Sequence, residues 1–178
     1  MKKFVISIVL ALIFLWFIKP FNIVILGSDA RPWQPLKGSR SDTIILINVN
    51  PILAKIKIVS IPRDSYTLID CEKGGKVDKI THALAFGGPS CSVRALENML
   101  NTKIQYSVLL RFEDLINLTT IVDGVDIVSN HTFTQDNESF VKGTAYTVQG
   151  PRALAYARHR KTDSDFKRGD RQKQVLGA

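Results

Sequence analysis

The sequence has few cysteines and lacks the spacings that hold metals through them. Cys71 and Cys91 are its only cysteines, and no metal-binding pattern surrounds either one. A cysteine-based metal centre is therefore excluded. Outside the cytoplasm the two thiols can close a loop as a disulfide. Two free thiols are an equally weighted alternative, because pairing geometry is not readable from sequence.

No small-x-small cleavage site follows the N-terminal segment MKKFVISIVLALIFLWFIKP. Residues 4–18 of this segment form an apolar run with one polar side chain, Ser7. As a helix this run spans about 22 Å, short of the roughly 30 Å hydrocarbon core. A short anchor and a cleaved signal segment both fit that length, and the missing cleavage site favours the anchor. We predict a cytoplasmic stub and a single transmembrane anchor over residues 1–20, with the rest of the chain outside the cell.

Glutamate is absent where the positive charge is greatest. The chain of 178 residues has a net charge of +8, and its 45% hydrophobic content suits one domain with one core. Between Arg158 and Lys173 lie seven Lys or Arg, three Asp and no Glu. Such a patch attracts nucleic acid, an anionic lipid head group or a phosphorylated substrate. A helix-turn-helix pattern is absent, which argues against nucleic acid as the partner.

Three apolar segments, FNIVILG, DTIILINVN and KIKIVSIP, predict three strands. Their short connections make them antiparallel neighbours. Residues 71–91 are predicted as a Gly-rich loop and residues 92–100 as an amphipathic helix. Strands and helices alternate from that helix onward, and residues 130–149 are predicted as an exposed hairpin or loop. The pattern indicates an α/β fold, a three-layer α-β-α sandwich with a mixed central sheet.

Antiparallel pairing brings the end of the first strand, the start of the second and the end of the third to one edge of the sheet. The polar residues expected there are Ser28, Asp29, Arg31, Arg40, Asp42, Arg63 and Asp64. Charged loops by themselves are the simpler explanation of this composition. Charged loops do not explain why Arg and Asp dominate these positions while Ser, Asn and Lys are nearly excluded.

The basic tail predicts a helix that ends near Arg158, followed by a second helix. On the second helix Asp165, Arg168 and Gln172 stack along one side, and Arg171 is a further candidate for that stripe. Guanidinium groups match phosphate oxygens bidentately and stay charged. Aspartates among them suit a bridging Mg²⁺. An Arg–Asp network that ties the tail to the domain is the structural alternative.

Seven motifs occur in an order and spacing similar to the LytR-CpsA-Psr (LCP) family: GSDAR, GSRSDTIIL, IPRDS, KITHALAFGG, VDGVDI, GPRALAYARHR and DFKRGDRQ. The resemblance implies that residues 21–178 form an extracellular catalytic domain, C-terminally short. It further implies transfer of a glycopolymer such as teichoic acid or capsule from a polyprenyl pyrophosphate carrier to peptidoglycan, through a phosphodiester bond. A polyprenyl-pyrophosphate phosphatase, or a non-catalytic regulator that binds lipid phosphate or DNA, is the alternative.

The resemblance also implies roles for individual residues, and it leaves the oligomeric state open. Asp29 and Asp42 would hold Mg²⁺, and Asp42, Asp165 and Arg63 would be catalytic. Binding of the pyrophosphate would fall to Arg31, Arg40, Arg63, Arg158, Arg160, Arg168 and Gln172, with the lipid in an apolar tunnel between sheet and helices. Lys167 and Lys173 depart from the Gly and Gln of the family pattern.

Overall fold

The computed structural model describes residues 19–28, 30–31, 33–35, 38–71, 75–159 and 165–177, with the backbone alone at positions 165 and 166. Most of the predicted anchor, together with Asp29 and Arg160, therefore lies outside the described residues. Across the ranges just given, no helix is both long and apolar enough to cross a membrane.

A four-stranded sheet forms the centre of the domain. Its strands are β1 (Phe21–Ser28), β2 (Ser41–Asn50), β3 (Lys55–Ser60) and β6 (Tyr106–Leu110). They lie in the order β3-β2-β1-β6. β1, β2 and β3 pair antiparallel, as their short connections predict, whereas β6 runs parallel to β1. The sheet is therefore mixed, as the sequence predicts.

Three two-stranded sheets surround the central one. They pair β4 (Tyr66–Ile69) with β5 (Lys76–Lys79), β7 (Val125–Val128) with β10 (Ala145–Val148), and β8 (Phe133–Gln135) with β9 (Glu138–Phe140). The hairpin predicted within residues 130–149 is present, but it is only partly exposed, because Phe133 of β8 and Phe140 of β9 are buried.

Four helices complete the fold. They are α1 (Ala83–Leu100), α2 (Phe112–Ile121), α3 (Gly150–Arg158) and α4 (Asp165–Gly177). The prediction of a loop over residues 71–91 is wrong, because β5, a 3-10 turn (Ile80–His82) and the start of α1 occupy most of it. Helix α3 has Pro151 in its first turn and ends at Arg158, as predicted.

Period-two alternation along the central strands sends their apolar side chains to opposite faces. Val24, Leu26 and Ile44 are buried in one cluster with Ala95 and Leu96 of α1. The other face, which includes Ile25, Gly27 and Thr43, lies against side chains of α2, α3 and α4. Helices therefore cover both faces, which is the three-layer arrangement expected.

Cys71 and Cys91 form a disulfide, with their Cα atoms 5.4 Å apart. The bridge joins the segment after β4 to α1, at the edge of the core cluster on that face. Gly87 packs directly against it: a Cβ at this position would lie 2.8 Å from the Cβ of Cys91 and 3.2 Å from that of Cys71. The kink of α1 at Gly87 thus leaves room for the cross-link.

Candidate functional site

The ends of the first three strands meet at one edge of the sheet. Ser28 pairs with Ser41 across β1 and β2, and Ile45 pairs with Ser60 across β2 and β3. Arg63, just after β3, donates a hydrogen bond from Nη1 to Oδ1 of Asp42 at 2.7 Å. The convergence that antiparallel pairing predicts is therefore present for these residues.

Helix α4 crosses this edge and brings the basic tail to it. Arg168 donates from Nη2 to the carbonyl of Asp42 at 3.3 Å. Gln172 donates from Nε2 to Oγ1 of Thr43 at 2.9 Å. Both contacts join residues more than 120 positions apart in the chain. The predicted spacing of Arg168 and Gln172 thus places both on the side of α4 that faces β2.

An apolar groove opens beside these contacts and encloses about 620 Å³ of space free of atoms, part of it open to solvent. Its floor is the sheet, and its walls come from the three helices on that face. The apolar lining residues are Ile25, Gly27, Leu110, Phe112, Leu115, Leu154, Ala157, Val175 and Leu176. The polar lining residues are Ser28, Asp42, Thr43, Arg111, Arg158 and Gln172. One cavity therefore joins an apolar interior to charged side chains of both signs.

Arg111 is a groove residue that sequence reasoning missed. It directly follows β6, and β6 runs parallel to β1 with Leu110 opposite Gly27. Parallel neighbours end at the same edge of a sheet, so Arg111 lies next to the end of β1. An Arg at the end of a predicted strand was the available signal, but the sequence does not say which strand pairs with β1.

Aspartates hold the arginines at this edge. Arg158 donates from Nη2 to Oδ1 of Asp136 at 2.7 Å, and Arg63 lies between Asp42 and Asp64. The Asp64 carboxylate also accepts a hydrogen bond from Lys79, which raises the pKa of that ammonium group. These side chains are partly exposed, so solvent screens each pair. The pair between Arg158 and Asp136 is a contact of the kind that the structural alternative predicts, because it ties the start of the basic tail to the domain.

Arg171 does not join the stripe of Arg168 and Gln172. It is fully buried and donates from Nη2 to the carbonyl of His159 at 2.6 Å, with its guanidinium 5.2 Å from the ring centroid of Phe133. On a helix, residues three and four positions after Arg168 are rotated about 100° from each other. That rotation turns Arg171 into the core and leaves Gln172 at the edge of β2.

The remaining candidates stand apart or outside the described residues. Arg31 lies with its guanidinium 5.5 Å from the ring centroid of Trp33 in the β1–β2 connection, and Arg40 is exposed directly before β2. Neither lines the groove. Asp29, Arg160 and the side chain of Asp165 are not among the described parts, so their predicted roles stay predictions.

Among the described residues, no group of three or more His, Cys, Asp and Glu side chains is placed to hold a metal ion. Asp42 is the described member of the predicted Asp29–Asp42 pair, and its carboxylate is about one-third exposed. Mg²⁺ is commonly bound by one or two carboxylates together with substrate phosphates. A carboxylate lining the groove fits that mode of binding.

Comparison with known proteins places the chain in a family. The LytR_cpsA_psr family model matches residues 18–178. The polyisoprenyl-teichoic acid–peptidoglycan teichoic acid transferase TagU of Bacillus anthracis is 44% identical over 160 residues, which are 89% of this chain and 51% of that protein. The chain therefore spans about half the length of the curated relatives it matches.

Solved structures agree with the sequence match. The crystal structure of Bacillus subtilis TagU superposes with a TM-score of 0.72 at 39% identity, over 89% of this chain and 64% of that one. A LytR-CPS2A-psr family protein, YwtF (TagT), with bound octaprenyl pyrophosphate lipid has a TM-score of 0.71 at 30% identity, over 90% of this chain and 63% of that one. This chain belongs to the LytR-CpsA-Psr family.

Proposed function

We propose that this domain transfers a teichoic-acid-type glycopolymer from a polyprenyl diphosphate carrier to peptidoglycan and leaves a phosphodiester bond. The relatives named as teichoic acid transferases and the family structure with octaprenyl pyrophosphate support this reaction class. The apolar groove of this chain is the observation that carries the proposal, because it joins a slot for a hydrocarbon tail to cations that suit phosphate.

The groove matches the two halves of such a carrier. Leu115, Leu154 and Val175 lie within it and would cover an isoprenoid chain, and burial of apolar surface yields about 25 cal/mol per Å². Arg158 and Gln172 line the same cavity, and Arg guanidinium groups bind phosphate oxygens bidentately. An amphiphile with a diphosphate head is therefore a better fit than a free sugar phosphate, which would leave the apolar walls uncovered.

The described residues supply charge and position for the chemistry. In the proposed reaction a peptidoglycan hydroxyl attacks the sugar-side phosphorus, and polyprenyl phosphate leaves. Arg63 and Arg168 stabilise the charge on the phosphoryl oxygens, and such electrostatic positioning provides most of the acceleration in phosphoryl transfer. Asp42 and Asp165 are the proposed acceptors of the hydroxyl proton.

A magnesium ion would be held by Asp42 together with Asp29. When bound, it would neutralise charge on the diphosphate. We further propose that residues 1–20 anchor the domain at the outer face of the cell membrane, so that the groove meets lipid-linked substrates there. Lys19 and Pro20, the last two residues of the predicted anchor, directly precede β1 in the sequence.

The test is transfer by the purified chain from a lipid-linked glycopolymer to peptidoglycan fragments, with the covalent adduct detected by mass spectrometry. Arg63→Ala and Arg160→Ala should each lower adduct formation by at least roughly 100-fold while the circular dichroism spectrum stays unchanged. Lys167→Ala is the matched control, because it also removes one positive charge, at an exposed position of α4. Full transfer by both arginine variants would contradict the assignment, and glycan phosphate released without adduct would indicate a phosphatase.

A further inference from the structure

A second cavity, here called the side cleft, lies on the other side of the contact between α4 and β2. It encloses about 1180 Å³ of space free of atoms, including open solvent. β3, the turn that follows it and α4 form its walls. Asp42, Thr43 and Gln172 line both the side cleft and the apolar groove. The hydrogen bond from Gln172 to Thr43 therefore stands where the two cavities meet.

We propose that the side cleft binds the acceptor glycan and delivers its hydroxyl to the junction at Asp42. This inference rests on the proposed transfer and adds the site of the second substrate. In phosphoryl transfer the attacking and leaving oxygens lie roughly in line through phosphorus. In the proposed reaction the polyprenyl phosphate leaves into the apolar groove, which Asp42 lines. The attacking hydroxyl must then arrive from the opposite side, where the side cleft opens.

The bonds balance without a further reactant. A bond forms between the acceptor oxygen and the sugar-side phosphorus, and the bond from that phosphorus to the bridging oxygen breaks. The bridging oxygen and its electron pair leave with polyprenyl phosphate, which stays in the apolar groove. The hydroxyl proton passes to a carboxylate at the junction, and Asp42 is the described carboxylate that lines both cavities.

The lining of the side cleft suits a glycan that carries peptide stems. Apolar groups at Ile58, Val59 and Pro62 offer surface for the apolar faces of sugar rings, and Asp170 and Lys173 of α4 line the same cleft. Arg63 and Arg168 also line it, but both contact Asp42 at the junction, where they remain assigned to the phosphoryl oxygens. Peptidoglycan presents hydroxyls, amides, carboxylates and amines, so an acceptor of this kind finds partners for each. A hydrocarbon tail would desolvate those charges without pairing them.

Lys173 is the residue that we assign to acceptor binding. Its Nζ lies 2.7 Å from Oδ1 of Asp170, one turn earlier on α4, and both residues line the side cleft but not the apolar groove. The pair is partly exposed, and exposed pairs contribute little to stability. Lys173 can therefore exchange Asp170 for a carboxylate of the acceptor without loss of the fold.

Transfer kinetics with each substrate varied in turn test this assignment. Lys173→Glu should raise the acceptor KM by roughly tenfold through charge repulsion, and leave the donor KM and the binding of a polyprenyl diphosphate unchanged. Lys167→Glu makes the same charge change on an exposed position of α4 outside both cavities and is the control. Val59→Trp, at a half-exposed lining position, fills the side cleft sterically and should have the same selective effect.

The outcomes separate this inference from the proposed function. Absence of adduct with the unmodified chain would refute the transfer reaction itself, whatever the variants do. Normal transfer together with unaltered acceptor KM in both side-cleft variants would overturn the acceptor site alone. A rise in the donor KM would assign the side cleft to the donor glycan instead and would equally overturn the inference.

Discussion

Removal of the Cys71–Cys91 disulfide is expected to lower the free energy of unfolding by about 3 kcal/mol. The two cysteines are 20 positions apart, and closing a loop of that length removes about 11 cal/mol/K from the entropy of the unfolded chain. At 25 °C this entropy amounts to about 3 kcal/mol. For a domain of this size each kcal/mol corresponds to roughly 2–4 °C, so the melting temperature should fall by about 6–12 °C.

The measurement compares urea and thermal unfolding of the unmodified chain with a Cys71→Ala/Cys91→Ala variant, each with and without dithiothreitol. Reductant should destabilise the unmodified chain and leave the variant unaffected. The bridge lies on the α1 face of the sheet and the apolar groove on the other face. Donor binding should therefore survive below the lowered melting temperature. A fall of less than about 2 °C, or loss of donor binding by the folded variant, would refute this reasoning.

Three other perturbations probe the groove, the core and the acid response. Leu176→Trp should narrow the apolar groove and weaken polyprenyl diphosphate binding about tenfold in a fluorescence titration; unchanged affinity would exclude the groove as the lipid site. Arg171→Met removes the hydrogen bond that the Arg171 guanidinium donates to the buried His159 carbonyl. The free energy of unfolding in urea should fall by about 3 kcal/mol, and a fall below about 1 kcal/mol would contradict the structural role of Arg171. The Ile104 N–H holds the pKa of Glu97 below its usual value, so this carboxylate stabilises the fold above about pH 4.5 and the effect is lost as pH falls through the lowered pKa. Glu97→Gln should flatten the stability curve below about pH 5, and an unchanged slope would contradict this cause.

The first three strands and their shared edge were predictable because the information is local. Apolar runs such as those of β1 and β2 identify strands, and short connections leave antiparallel pairing as the simple solution. The meeting of Asp42 with Arg63 follows from that pairing alone. Their chemical roles at this edge stay proposals.

The start of α1 was missed because its local signals point to a loop. Gly87, Gly88 and Pro89 interrupt the helical pattern, and Gly87 and Gly88 have non-helical backbone angles in the structure. Those angles divide α1 into a short first segment before Gly87 and a longer second segment that carries Cys91 of the disulfide. The local signals thus mark a real break in the helix, and burial of Ala83 and Leu84 in the core favours the helical turn before it.

The buried position of Arg171 depends on contacts with distant parts of the chain. Periodicity places Arg168, Arg171 and Gln172 near one another on a helix, but it does not reveal which direction faces the core. The position of the β8–β9 hairpin decides this, because Phe133 and His159 form the surroundings into which Arg171 is turned. Arg171 carries a guanidinium group of the kind that binds phosphate, but its buried position makes it a structural residue.

The sequence by itself determined the strand segments, the basic tail and the family motifs, since each consists of neighbouring residues. Only the tertiary structure decided that Arg168 and Gln172 return to Asp42 and Thr43, and that Arg111 joins them beside one groove. Such contacts between distant segments arise from the packing of whole helices against the sheet. The free energy that stabilises this packing comes from contacts throughout the core, so it cannot be assigned to one segment of the chain.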